Sequence, residues 1–101
     1  MSIEGDIQNA RVAVLIRGAR SAIGMNQQQF ADLMGVSRTT VARIETLQMA
    51  AKADFLIKAL GLFKSAGVEI DLFQSSGVSF HVTEEAIIRA QGHRKDDPDQ
   101  D

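Results

Sequence analysis

The chain has no cysteine, tryptophan or tyrosine and only one proline among its 101 residues. Without cysteine there is neither a disulfide nor a thiolate metal ligand, although this alone fixes no compartment. No run of about 18 apolar residues occurs, so no membrane-spanning helix is expected. The opening residues MSIEGDIQ carry neither a basic start nor an apolar block. No secretory leader is therefore expected, and a cytoplasmic protein is the plain reading. The aromatic side chains are five phenylalanines, all on apolar faces, which argues against base stacking on RNA. There is no Gly-rich phosphate loop, and no serine has a plausible base. The two histidines, His81 and His93, stand apart, with no second ligand at helical spacing. An enzyme, a metal centre and a cofactor are all unexpected.

What is present is one small domain's worth of core, with 45% of residues apolar. Its densest stretch is NQQQFADLMGVSRTTVARIE, from Asn26 to Glu45. Asn26 is a good N-cap, and Gln29 three residues on completes a capping box. Phe30, Ala31, Leu33 and Met34 then form the apolar stripe of a two-turn helix. Gly35 supplies the left-handed residue that ends it. Val36 is expected to bury in the turn, and Ser37 caps a second helix from about Arg38 to Leu47, with Val41 and Ile44 inward. Helix, glycine turn and capped second helix form a helix-turn-helix.

The same residues, in the pattern N-Q-x-x-[LF]-A-x-x-x-G-V-S-[RT]-x-[TS]-[VI]-x-x-[IL]-E, resemble the phage repressor and Cro-like (XRE-type) helix-turn-helix family. The likeness is dense at Gln27, Phe30, Ala31, Gly35, Val36, Ser37, Val41, Ile44 and Glu45, and extends over roughly residues 7–66. It implies a repressor-like DNA-binding domain whose third helix lies in the major groove. By that resemblance Arg38, Thr39 and Arg43 face the bases, with Ser37 beside them. Arginine can bond bidentately to guanine, and threonine can meet a thymine methyl. The resemblance further implies a phosphate contact from Gln27 at the start of helix 2 and a structural ion pair between Arg20 and Glu45. Gln28 and Arg17 are further phosphate candidates. Thr40 stands between phosphate binding and helix packing.

Along the chain, residues 1–6 are expected to be flexible. Ile7, Val12, Leu15, Ile16, Ala19 and Ile23 then follow helical spacing, with Asp6 as cap and Gly24 as stop. After Glu45 the family's usual Gly- and Pro-containing loop is missing. The sequence TLQMAAKAD is rich in helix formers instead, so helix 3 is expected to run on or turn directly into helix 4. Helix 4 should span about Lys52–Ala66, weakened at Gly61 and stopped by Gly67. From Val68 to Val82 the period changes to two, giving two strands around FQSSG. A lone hairpin is marginal in water, so its apolar face must be covered by helices or by a second chain. Residues 67–91 are expected to form a β-hairpin plus a short final helix that serves dimerisation or a protein partner. A homodimer through 68–91, with a four-stranded sheet across its two-fold axis, is the expected arrangement. Thr83 should cap that helix, which ends near Gln91. Residues 92–101 read as a disordered tail.

The net charge of −2 looks unfavourable for DNA until its layout is considered. Residues 11–52 carry six basic against two acidic side chains, a local balance of +4, whereas residues 53–101 carry five against nine. Positive charge thus coincides with the helix-turn-helix, where phosphate attraction needs it. The fold class expected is mainly α, with four to five helices and a C-terminal β-hairpin. The function expected is a homodimeric, sequence-specific regulator of transcription, acting by repression at a palindromic operator. The alternative is a protein-binding module on the same fold, such as an antitoxin or antiactivator.

Overall fold

A computed structural model describes residues 3–71 and 77–95. Among these the order is α1 (Ile3–Ala22), α2 (Gln27–Met34), α3 (Arg38–Glu45), α4 (Ala53–Ser65), β1 (Val68–Asp71), β2 (Ser79–Val82) and α5 (Glu84–Lys95). The fold is mainly helical with one antiparallel hairpin.

Three helices end with the same pair of backbone bonds. After α1, Met25 N–H donates to the Arg20 carbonyl and Gly24 N–H to that of Ser21, both at 3.0 Å. After α2, Val36 N–H donates to Ala31 and Gly35 N–H to Asp32. After α3, Gln48 N–H donates to Arg43 at 2.8 Å and Leu47 N–H to Ile44 at 3.3 Å. This is the Schellman arrangement, which requires a left-handed residue. Gly24 and Gly35 meet the requirement freely at φ 70° and 72°, but Leu47 adopts φ 64° with a Cβ present.

That third ending corrects the expectation of a run-on helix. Although Leu47, Met49 and Ala50 are good helix formers, α3 stops at Glu45, and a loop of residues 46–52 leads to α4. Helix propensity is a weak preference, and the closure after Glu45 overrides it. Helix α1 also begins at Ile3, four residues before the expected start, so Asp6 lies inside it rather than capping it. Helix α4 runs unbroken through Gly61. Helix α5 continues past Gln91 to Lys95, into the segment expected to be a tail. Residues 1–2, most of the FQSSG turn with Leu72, and residues 96–101 lie outside the described residues.

The core is built by α1 to α4 and closed by β1. Leu15, Ile16 and Ala19 of α1 meet Phe30, Ala31 and Met34 of α2, Val41 and Ile44 of α3, Ala59 and Phe63 of α4, and Val68. Phe30 stacks on Phe63 with ring centroids 5.3 Å apart and meets Phe55 edge-on at 6.3 Å. Leu33, expected on the apolar stripe of α2, is 54% exposed instead. With only two turns, α2 turns Phe30, Ala31 and Met34 inward, and Leu33 borders an open groove also lined by Ala86, Arg89 and Ala90 of α5.

Strands β1 and β2 pair antiparallel, with Val68 opposite Val82 and Ile70 opposite Phe80. The hairpin is supported from within the chain: β1 packs on α4 and β2 on α1. The Phe80 ring lies so close to Gly18 that a Cβ there would stand 3.0 Å from its Cζ. Arg11 of α1 adds a bond from Nε to the Gly77 carbonyl, at 3.0 Å. At the joint before β1, Gly67 (φ 93°) accepts from Thr83 N–H at 2.8 Å, and a Cβ on it would collide with Thr83 and Ala86. That close contact seats α5 on the body of the domain.

Candidate nucleic-acid interface

Helix α3 is held from behind and left open in front. Val41, Ile44 and Glu45 of α3 are buried, while Arg38, Thr39 and Arg43 are exposed on the other side. The caps that start each helix are formed. Asn26 Oδ1 accepts from Gln29 N–H at 2.8 Å, and Gln29 Oε1 accepts from Asn26 N–H at 2.9 Å. Ser37 Oγ accepts from Thr40 N–H at 3.1 Å. These bonds satisfy amide groups that the first turn leaves open, and so they set where α2 and α3 begin.

Glu45 is the anchor. It is only 4% exposed, and its carboxylate takes two bonds from Arg20: Nε to Oε2 at 2.9 Å and Nη2 to Oε1 at 3.0 Å. Arg20 Nη1 also donates to the Met25 carbonyl at 2.8 Å, in the turn between α1 and α2. A forked guanidinium–carboxylate pair fixes angle as well as distance. The three helices are thereby clamped at one point.

Gln27 extends the clamp to the surface. Its Nε2 donates to Glu45 Oε1 at 3.2 Å, and its Oε1 accepts from Arg38 Nη1 at 3.4 Å. A polar chain therefore runs from Arg20 through Glu45 and Gln27 to Arg38. The family resemblance pointed Gln27 to phosphate, against a reading in which it merely solvates and caps the helix. Its link to Glu45, eighteen positions away, had no signal in the local pattern.

The remaining predicted residues are separate. Gln28 Nε2 donates to Asp32 Oδ1 at 2.8 Å along α2. Thr40 and Ser37 share a hydroxyl contact of 3.0 Å. Arg17, Thr39 and Arg43 are exposed, and none makes a hydrogen bond or ion pair among the described residues. His81 is exposed on β2, and His93 falls within α5. Among the described residues no group of three or more His, Cys, Asp or Glu is placed to hold a metal. No helix among them is long and apolar enough to cross a membrane.

Two short helices at a glycine corner, one buried behind and arginine-bearing in front, define a helix-turn-helix DNA-binding domain. The family model for the helix-turn-helix matches residues 16–69, more than half of the chain, from the middle of α1 to the second residue of β1. The protein belongs to the Cro- and repressor-like, XRE-type helix-turn-helix family, a family of DNA-binding transcription regulators. No curated protein matches the chain.

Proposed function

We propose that the protein is a transcriptional repressor that binds a roughly palindromic operator as a homodimer. Two α3 helices enter successive major grooves about 34 Å apart. Arg38 and Arg43 read guanine edges, Thr39 meets a thymine methyl or accepting base, and Ser37 borders them. Gln28, Thr40 and Arg17 contact phosphate. Gln27 does so through an amide already oriented by Glu45. The observation that carries this reading is the two-sided character of α3: its rear is locked by the Arg20–Glu45 pair, and both arginines stand in solvent.

The test is an electrophoretic titration on the DNA upstream of the protein's own gene. Arg38→Ala with Arg43→Ala should lower affinity for the preferred site by roughly 100-fold, at about 1–3 kcal/mol per lost guanine contact, with little effect on folding. An unchanged site preference in the double variant would overturn the base-reading assignment.

A second reading, in which an antitoxin or antiactivator grips a protein partner, draws on α5, where Ile87 and Ile88 are 50% and 62% exposed. Activity in cells that survives loss of both arginines would favour it.

A further inference from the structure

Helix α4 has an outer face that the rest of the fold leaves unused. Ala59 and Phe63 turn inward and are fully buried. On the opposite side Ile57 is 70% exposed, more than any other large apolar residue described. One turn on stands Gly61, inside a regular helix, with no heavy atom within 4 Å of where a Cβ would lie. Glycine weakens a helix interior relative to alanine. Among the described residues no neighbour requires it here, since none comes within 4 Å of that position.

We propose that this face is a homodimer interface, with α4 packed antiparallel against α4 of a second copy across a two-fold axis at the level of Ala59. The proposal rests on the homodimer reading above and gives that dimer a contact surface. An interface between identical chains must be complementary to itself after a half-turn: whatever projects on one side of the axis needs its opposite at the same distance on the other. Helix α4 has this property twice. Ile57 and Gly61 are equidistant from Ala59, so each Ile57 projects toward the gap left by the partner's Gly61. Asp54 and Lys64 are also equidistant, so each carboxylate faces the partner's Lys64 rather than a like charge. The Asp54 Oδ1 atom accepts from Phe55 N–H at 2.9 Å, and its second oxygen remains for the ammonium. Glycine at a helix crossing lets two backbones approach closely, and a large side chain opposite fills the space. The hairpin, the other candidate for self-association, already rests on α1 and α4 of its own chain.

Sedimentation equilibrium of the full chain tests this. The wild type should show a monomer–dimer equilibrium, and Ile57→Glu should raise the dimer dissociation constant about 30-fold or more, as for an interface hot spot. Asp54→Lys and Lys64→Asp should each weaken the dimer, and the two together should restore it. Residues 54 and 64 lie about 15 Å apart along one helix, so such rescue can only act between subunits. Circular dichroism checks that each variant is folded. A wild type that stays monomeric, Ile57→Glu that remains as dimeric as the wild type, or an absence of rescue in the double swap would each overturn the proposal. So would dissociation by Ile88→Glu but not by Ile57→Glu, which would place the contact at residues 68–91. A dimer that the α4 variants dissociate but that retards no DNA would support this interface while overturning the regulator reading.

Discussion

At the scale of single residues, Glu45 has the greatest influence on the interface without being part of its outer surface. It is buried and receives three bonds, two from Arg20 and one from Gln27. Removing one member of such a pair leaves the other charge without compensation, which is far more damaging than losing an exposed pair. Glu45→Ala is expected to destabilise the domain by about 3 kcal/mol. It should also weaken DNA binding, because Arg38 is steadied through Gln27. Chemical denaturation and a DNA titration below the transition would separate the two effects. The pairing of Arg20 with Glu45 was legible only through family resemblance: Glu45 closes the pattern, and Arg20, six residues before it begins, matches the family position that pairs with that glutamate. The role of Gln27 between them was not, because side-chain geometry across eighteen positions decides it.

At the scale of elements, the sequence was most informative where a local rule acts alone. The Asn26–Gln29 box, the Ser37 cap and the Gly35 corner are all short-range, and all appear where their residue types place them. It was least informative at the end of α3, where propensity favoured continuation and the chain closed instead. Leu47 holds the left-handed position that glycine fills after α1 and α2. That conformation costs a residue with a Cβ roughly 1 kcal/mol. Leu47→Gly is therefore expected to raise stability by up to about 1 kcal/mol, less whatever its half-exposed side chain contributes and less the added freedom of the unfolded chain. A thermal melt showing clear destabilisation would mean that the leucine side chain has a packing role larger than its exposure suggests.

At the scale of the whole molecule, charge is divided along the sequence. Residues 11–52 carry a balance of +4, residues 53–95 are balanced at five basic and five acidic side chains, and the remaining acids, Asp96, Asp97, Asp99 and Asp101, lie beyond the described residues. A modest number of cations must therefore supply the attraction to phosphate. Binding strength should fall linearly with the logarithm of salt concentration, by a slope of about 0.9 for each phosphate neutralised. Arg17→Ala should reduce that slope by about one per subunit and weaken all DNA sequences alike, unlike the arginine changes on α3. A titration across salt concentrations reads both effects; an unchanged slope would remove Arg17 from the phosphate contacts.

The sequence by itself determined the helix-turn-helix, its caps, its glycine corner and the two-stranded segment that follows. Each depends on residues within a few positions of one another, where periodicity and capping chemistry have few competitors. Tertiary structure alone decided that the hairpin lies on α1 and α4 of its own chain and that Leu33 and Ile57 stay exposed. It also decided that Gln27 bridges Glu45 to Arg38. These outcomes depend on which surfaces meet when distant segments pack, and neighbouring residues along the chain carry no record of that.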